Sequence, residues 1–183
     1  TDAFVYQQHL QTTLQKLEQS NRVDGLTQAL NRRYWEEQLK LEVQRAQRYQ
    51  QPLSLLLFDL DKFKQLNDQY GHLGGDCVLI ELTARVRGLL RDTDWFGRYG
   101  GEEFGIVLTN TALAGAMEVA ERICLAVSSK AVTFNEHSIQ SSISVGVAQL
   151  DAAGERAHEV LIGQADMALY NAKREGRNRV VSY

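Results

Sequence analysis

The sequence predicts an α/β (α+β) fold in which helices flank a central mixed β-sheet. The apolar run at residues 53–58 has the length of a strand buried on both faces, and amphipathic segments of helical period alternate with strand-like runs. Two such runs are joined directly through Gly100-Gly101, which predicts a tight hairpin with positive φ at both glycines. A hairpin adds an antiparallel pair, so the predicted sheet is mixed.

Composition is that of an ordinary soluble globular protein. The chain has 183 residues, a net charge of −3, 44% hydrophobic residues and 23% charged residues. The mild negative charge argues against nucleic acid as a partner. The two cysteines fit neither a disulfide nor a metal spacing, and no apolar run reaches transmembrane length. Because the chain starts at Thr1, we expect a segment of a longer protein.

The spacing of apolar residues and the positions of turn-forming residues predict the remaining helices and strands. The glutamine-rich start is read either as the end of a coiled coil or as a frayed terminus. Glycines and Pro52 separate the later segments. Helices are predicted at 1–20, about 31–49, from 63 to Gly71, from 74 onward, about 113–128 and about 156–173. Strands are predicted at 53–58, on both sides of Gly100-Gly101, at about 139–148 and at 180–181.

Four acids flank the predicted hairpin and the end of the first strand. Asp59 and Asp61 follow the buried strand, and Glu102 and Glu103 follow the glycines. If the two strands are neighbours, Asp59 and Glu102 meet at one edge of the sheet and can bind one or two Mg2+ ions. Alternate strand residues face opposite sides, so both glutamates should not reach one ion, but alternation does not say which one does.

Each acid also has a structural explanation. Asp59 can be the N-cap of a helix that starts near Asp61. With a two-residue loop, Arg98 lies opposite Glu103, so this pair can form a cross-strand ion pair. The four acids together, beside a Gly-Gly turn, favour the metal site over these separate explanations.

At this point the motifs resemble a known family, the GGDEF domain of diguanylate cyclases. Gly100-Gly101-Glu102-Glu103-Phe104 is the GGEEF form of its signature, and the resemblance runs from about residue 24 to the end. The other matching segments are 24–27, 30–33, 58–61, 63–64, 67–68, 70–72, 75–76, 98–99, 144–146, 165–166, 168–170, 172–173 and 176–178. In this order and spacing they are highly specific.

The resemblance implies a fold like the palm of nucleotide cyclases and polymerases, and an enzyme that makes cyclic di-GMP from two GTP molecules. It implies that Asp59, the Leu60 carbonyl and Glu102 hold the metal, Mg2+ or Mn2+, with two ions per GTP. It also implies that Glu103 takes part in catalysis, as a candidate for handling the 3′-hydroxyl proton. Asp59 and Glu102 thus join Glu103 as the expected catalytic acids.

The resemblance also implies the residues that bind GTP. Asn67 and Asp76 match the guanine-binding positions, and their amide and carboxylate suit guanine because it offers N1–H and an amino group together. Taken alone, Asn67 is explained as a residue near a helix end and Asp76 as a first-turn acid. The positions matched to the base and the phosphates are Leu26, Lys62, Phe63, Lys64, Lys173 and Arg177; the last two are also explained as cations at a helix end.

A second implied site binds the product. Arg91 and Asp94 match the inhibitory RxxD motif, and Arg122 matches a secondary arginine of some members. On composition alone, a solvated turn explains Arg91–Asp94 equally well.

Because one domain holds one GTP, the resemblance implies that the partner is a second copy of the domain. We expect this fragment to be largely monomeric, with a slow turnover of GTP unless the protein is concentrated.

Residues 1–23 are expected to be a helical stalk and residues 24–183 the cyclase domain, with an upstream sensor domain missing. We expect a cytoplasmic location, where GTP is, with a membrane anchor upstream as an open alternative. The rival hypothesis is a catalytically inactive receptor module for cyclic di-GMP or GTP, although such members usually carry a degraded signature. A protein-interaction scaffold has no positive support.

Overall fold

The computed structural model describes the backbone of residues 1–183 and all side chains except those of residues 19 and 20. A five-stranded sheet has the order β2-β3-β1-β6-β7, with all neighbours antiparallel except the parallel pair β6–β7. The mixed sheet of the sequence prediction is therefore confirmed. Its strands are β1 (Leu53–Leu60), β2 (Trp95–Arg98), β3 (Glu103–Thr109), β6 (Ile143–Gln149) and β7 (Arg179–Ser182), and a separate hairpin pairs β4 (Val132–Phe134) with β5 (His137–Ile139).

Helices cover both faces of the sheet. Their bounds are α1 (Asp2–Ser20), α2 (Arg32–Tyr49), α3 (Phe63–Arg87), α4 (Leu113–Ser128) and α5 (Ala157–Arg174). Leu56 and Phe58 pack with α3 and α4 on one face, whereas Leu55 and Leu57 pack with α2 and α5 on the other. Every residue of β1 is buried, because the strand alternates between two cores rather than between a core and water.

The helix predictions hold closely, including the break inside α3. Gly71 has φ 76° and ψ 171°, so α3 consists of two helical segments that meet at this residue. Asn31 caps α2 by accepting a hydrogen bond from the Tyr34 amide. The N-terminal segment is helical, as predicted, and residues 2–18 of α1 are exposed. No helix among the described residues is long and apolar enough to cross a membrane.

One strand prediction is wrong in its bounds, and one hairpin was missed. The expected strand at 139–148 is divided between two sheets: Ile139 ends β5 of the separate hairpin, and β6 of the central sheet begins at Ile143. Between them, the Ser142 carbonyl accepts a hydrogen bond from the backbone amide of Asp61. The β4–β5 hairpin was not predicted. Its turn places Asn135 and Glu136 at positive φ, and glutamate is an unusual residue for that conformation.

The hairpin at the signature also differs from the prediction. Arg98 pairs with Phe104 rather than with Glu103, so the register is shifted by one residue and the loop is longer than Gly100-Gly101. Neither glycine has positive φ. The Tyr99 and Gly100 amides both donate to the Glu103 carbonyl, which closes the loop without a primed turn. The predicted ion pair between Arg98 and Glu103 is consequently absent from the described contacts.

Candidate active site

Asp59 is the acid that the fold buries. It lies near the end of β1 with its side chain only 8% exposed, on the face covered by α2 and α5 because it follows the parity of Leu55 and Leu57. Its Oδ1 atom is buried and has no hydrogen-bond partner among the described residues. Asp59 is not an N-cap: α3 begins after Lys62, which has positive φ and provides no side-chain cap.

Lys173 supplies the only cation paired with Asp59 in the described part of the chain. Its Nζ donates to Asp59 Oδ2 from the last turn of α5. Burial raises the pKa of Asp59 to about 6, even though the hydrogen bond and charge of Lys173 act to lower the pKa. The sequence matched Lys173 to phosphate; in this structure its ammonium instead neutralises the buried carboxylate.

Both glutamates of the signature lie close enough to Asp59 to raise its pKa, Glu102 more than Glu103. Glu103 is the cross-strand partner of Asp59, so the register puts the two residues on the same face. Glu102 precedes β3, and its carbonyl accepts a hydrogen bond from the Leu60 amide. Strand alternation therefore does not apply to Glu102, and both acids reach the neighbourhood of Asp59.

The acids around Asp59 are candidate ligands for a divalent cation. Among the side chains that the structure describes, no three His, Cys, Asp or Glu residues are gathered into a metal-binding group. Asp59 nevertheless fits a hard cation, since its Oδ1 is a buried carboxylate oxygen without a donor and two further acids lie nearby.

Arg98 holds the signature loop in place, a role that the sequence reasoning missed. Its Nε and Nη2 donate to the Gly101 carbonyl at 3.0 and 2.6 Å. Its Nη1 pairs with Asp24 at 3.1 Å, and Thr27 also donates to that carboxylate. Burial acts to raise the pKa of Asp24, but the hydrogen bonds from Thr27 and Arg98 outweigh it and lower the pKa. The loop is thereby tied to the segment that follows α1.

Asp61 has a structural role and is not a fourth member of the acid group. Its carboxylate accepts hydrogen bonds from the hydroxyls of Ser142 and Ser144 at 2.7 and 2.6 Å. It also accepts one from the backbone N–H of Asn178 at 3.0 Å. These bonds tie the end of β1 to the loop before β6 and to the loop after α5. Ser144 and Asn178 both lie in segments that match the family, 144–146 and 176–178. Their spacing along the chain does not reveal that they bind Asp61.

Asn67 and Gly75 form a close contact across the break in α3. A Cβ atom at Gly75 would lie 1.8 Å from Asn67 Oδ1, so only glycine leaves room for this amide. Asn67 Oδ1 is buried and has no partner among the described residues. Asp76 follows directly and is half-buried. The two positions matched to guanine are therefore adjacent, and one of them presents an unused acceptor.

The residues matched to phosphate are distributed around the start of α3 and the end of α5. Lys62 and Arg177 both have positive φ and line an open cavity of about 600 Å³ beside Asp61 and Asn178. Lys64 is exposed, and Phe63 and Leu26 pack at the edge of the core between α3 and the sheet. The fold brings Lys62 and Arg177 together, whereas Lys64 does not line that cavity.

Arg91 and Asp94 form a tight local network between α3 and β2. Asp94 is 2% exposed and accepts from Arg91 Nε and Nη2 at 3.3 and 2.9 Å. Arg91 Nη2 also donates to the Thr109 carbonyl at 2.8 Å and to Thr111 Oγ1 at 2.9 Å. Arg122 is exposed on α4 and has no described bond to either residue. Within this turn the Asp94 carboxylate is therefore buried, whereas the Arg91 side chain stays 55% exposed.

Comparison with known proteins agrees with this geometry. The family model described as the diguanylate cyclase GGDEF domain matches residues 21–179. Diguanylate cyclase A of Treponema denticola is 44% identical over 128 residues, and diguanylate cyclase DosC of Escherichia coli is 43% identical over 159 residues. These alignments cover 70% and 86% of this chain but 34% of each relative, so the chain spans about a third of their length.

The solved structures agree with the fold along the whole chain. The coiled coil and GGDEF domain of DgcB from Caulobacter crescentus, in complex with c-di-GMP, superposes with a TM-score of 0.93 at 26% identity. That match covers 100% of this chain and 96% of the DgcB chain. Members of this family require a divalent metal ion. The buried, unpartnered carboxylate oxygen of Asp59 is a suitable ligand for such an ion. The sequence motifs, the mixed sheet and the family match together show that the chain belongs to the GGDEF diguanylate cyclase family.

Proposed function

We propose that this domain condenses two GTP molecules into cyclic di-GMP and two pyrophosphates in a site shared by two copies of the domain. In each step the 3′-oxygen of one GTP bonds to the α-phosphorus of the other, the bond to the pyrophosphate breaks, and the 3′-hydroxyl proton leaves. A repeat in the opposite direction closes the ring. Two relatives of this chain, from Treponema denticola and Escherichia coli, are named diguanylate cyclases, which supports this reaction.

The observation that carries the proposal is the environment of Asp59. A buried carboxylate with an unpartnered Oδ1, an elevated pKa and two neighbouring glutamates is unfavourable in the isolated protein. Such an arrangement is typical of a site built for a cation. We assign Asp59, the Leu60 carbonyl and Glu102 to metal binding, with Mg2+ or Mn2+ and two ions per GTP.

The bound cations would supply Lewis-acid stabilisation of charge on the transferring and leaving phosphate groups. Glu103 lies opposite Asp59 in the register and is exposed, so its carboxylate is available to accept the 3′-hydroxyl proton of a GTP on the facing copy. Arg98 positions the loop through the Gly101 carbonyl. When a cation takes over the neutralisation of Asp59, the Lys173 ammonium becomes available for phosphate.

Guanine selection is assigned to Asn67 and Asp76. The Asn67 acceptor is already buried and unpartnered, so pairing with a guanine donor removes a penalty of about 1–3 kcal/mol. Adenine lacks the N1–H and 2-amino pair that the Asp76 carboxylate can accept. The positions assigned to the base edge and the phosphates are Leu26, Lys62, Phe63, Lys64, Lys173 and Arg177.

Two copies must face each other because one domain holds one GTP. We assign residues 1–23 to a stalk that brings the copies together and residues 24–183 to the cyclase domain, in a cytoplasmic setting and downstream of a sensor domain. The exposure of α1 supports this role. We further assign Arg91 and Asp94, with Arg122 as a secondary contact, to inhibition by cyclic di-GMP.

Incubation with GTP and MgCl2, followed by chromatography of the products, tests the proposal. We expect cyclic di-GMP and pyrophosphate, a specific activity that rises with protein concentration, and loss of turnover in Glu102→Gln. Glu118→Gln, on the exposed face of α4, is the matched control and should retain activity. GTP binding without product in the wild type would instead establish a receptor module, and full activity of Glu102→Gln would refute the metal assignment.

A further inference from the structure

The separate β4–β5 hairpin packs against the helical core beside α3. Val132 at the start of β4 and Ile139 at the end of β5 are buried in the core that the sheet shares with α3 and α4. Phe134 is half-buried against the same core. The two strands form a sheet of their own, so they do not pair with the central sheet. Side-chain packing therefore holds the hairpin in place.

The β4 strand contacts the second segment of α3, which begins at Gly74. A Cβ atom at Gly74 would lie 3.3 Å from Phe134 Cε1, so the Phe134 ring lies against the helix backbone there. The Cys77 thiol donates to the Thr133 carbonyl at 3.8 Å. Arg85, on the same segment, donates to four backbone carbonyls at the end of α4 and in the turn before β4, those of residues 126, 127, 130 and 131.

The β5 strand contacts the first segment of α3, which ends at the break. The His137 ring lies 5.7 Å from the Tyr70 ring between centroids, with an interplanar angle of 59°. Tyr70 in turn lies against the second segment, because a Cβ at Gly74 would be 2.6 Å from Tyr70 Cβ. Phe134 and His137 are paired residues of the hairpin, so one pair contacts both sides of the break at Gly71.

The break separates the two positions assigned to guanine. Asn67 lies in the first segment and Asp76 in the second, so the angle between the segments sets the distance between their polar atoms. Gly71 itself is open: no described atom outside the neighbouring backbone would lie within 4 Å of a Cβ at this residue. Because glycine also restricts the backbone least, the angle must be fixed by groups that contact both segments.

We propose that the β4–β5 hairpin fixes the angle between the two segments of α3 and thereby positions Asn67 and Asp76 for guanine. Phe134 and His137 are positioning residues in this arrangement, acting through the guanine-binding side chains. The inference rests on the proposed assignment of Asn67 and Asp76 to the base. Hydrogen bonds weaken steeply with misalignment, so a change of angle at the break weakens recognition of the N1–H and 2-amino edge.

Calorimetry on the full chain tests the inference with two ligands that cannot release pyrophosphate. One is the α,β-methylene analogue of GTP, and the other is its inosine counterpart, which lacks the 2-amino group. We expect Phe134→Ala to weaken binding of the guanine analogue about ten-fold. The inosine analogue should lose less, because it has fewer base-edge hydrogen bonds to misalign. General loosening of the fold would weaken both ligands equally.

Two further variants show whether the aromatic contact is responsible. Phe134→Tyr keeps the ring against Gly74 and should stay within about three-fold of wild type. Thr133→Ala is the matched control on the same strand, since the Thr133 side chain is exposed and its carbonyl, which Cys77 contacts, is retained. We expect Thr133→Ala to bind both analogues as wild type does.

A surface variant keeps the test independent of folding. His137 is exposed, so His137→Ala should fold and still weaken the guanine analogue several-fold. In an Asn67→Ala background the same change should cost about two-fold at most, because the side chain through which it acts is gone.

Unchanged affinity in both Phe134→Ala and His137→Ala would overturn the positioning role, as would equal losses for the two analogues or full additivity with Asn67→Ala. A wild-type protein without preference for the guanine analogue would overturn the guanine assignment as well. Failure of the assignment is thus seen in the wild type, and failure of the positioning role in the variants alone.

Discussion

Two proposed ligand sites differ in how far hydrogen bonds within the protein satisfy their polar groups. One is the proposed GTP site of Asp59, Asn67, Glu102 and Glu103, which we call the acid edge. The other is the RxxD segment at residues 91–94. At the acid edge, Asp59 Oδ1 and Asn67 Oδ1 are buried without partners among the described residues. At the RxxD segment, Arg91 Nη2 carries two hydrogens and has three acceptors within 2.9 Å, from Asp94, Thr109 and Thr111.

The difference predicts how each site responds to its ligand. A ligand at the acid edge relieves a penalty that the folded protein already carries, about 1–3 kcal/mol for each unpartnered group. A ligand at Arg91 must compete with hydrogen bonds that already exist, since each fork of the guanidinium, Nη1 with Nη2 or Nε with Nη2, uses the occupied Nη2. The acid edge is therefore prepared for its ligands, and the RxxD segment must exchange partners.

Removing the charge of Asp59 should give the largest effect. In Asp59→Asn we expect turnover of GTP to fall at least about 100-fold, because loss of a cation that stabilises phosphate charge costs several kcal/mol in the transition state. Steady-state cyclic di-GMP synthesis measures the loss. Asp68→Asn, an exposed acid on α3, should retain activity. An active Asp59→Asn would show that the acid edge is not the catalytic site.

Removing the Asn67 amide should have the next largest effect. We expect Asn67→Ala to raise the KM for GTP by about ten-fold or more, because a base-specific hydrogen bond is lost, while the folded protein loses only an unpartnered group. Thermal unfolding should thus be nearly unchanged. Gly75→Ala should give a similar KM, since its Cβ would displace the same amide. An unchanged KM in both variants would remove Asn67 from guanine recognition.

The acidity of Asp59 should make the metal-free protein pH-dependent. Burial raises its pKa from 3.8 to about 6, so its stabilising contribution is present below pH 3.8 and is lost as pH rises through 6. In EDTA, wild type should lose about 1–3 kcal/mol of unfolding free energy relative to Asp59→Asn between pH 4 and pH 7, after allowance for solvent screening. Denaturant unfolding at several pH values measures this. A pH-independent difference between the two proteins would show that burial does not raise the pKa of Asp59.

Releasing Arg91 should give the smallest effect. Thr111→Val removes one acceptor from Arg91 Nη2, so we expect cyclic di-GMP to bind and inhibit a few-fold more tightly, in keeping with one net hydrogen bond of about 1 kcal/mol. Inhibition curves for wild type, Thr111→Val and Arg91→Ala measure it. Weaker inhibition in Thr111→Val would mean that the Thr111 bond prepares Arg91 for product, and the contrast between the two regions would then disappear.

Local pattern was sufficient for most of the fold. Helical period and glycine breaks predicted α2, the divided α3, α4 and α5, because amphipathic periodicity reports directly which face is buried. The same reasoning did not predict the β4–β5 hairpin or the register of the signature hairpin. A one-residue shift in strand pairing leaves the amino-acid composition of the hairpin unchanged, so composition cannot predict the register. The register is set by the Tyr99 and Gly100 amides, which both donate to the Glu103 carbonyl.

The sequence by itself determined the fold class, the family resemblance and the acids at the edge of the sheet, because these depend on residue type and spacing along the chain. Only the tertiary structure decided which polar groups are satisfied. Lys173 meets Asp59 across 114 positions, Arg98 meets Asp24 across 74, and Asp61 is taken up by Ser142, Ser144 and Asn178. Burial and pairing are properties of distances in space, and sequence spacing carries no direct record of them between elements that are far apart in the chain.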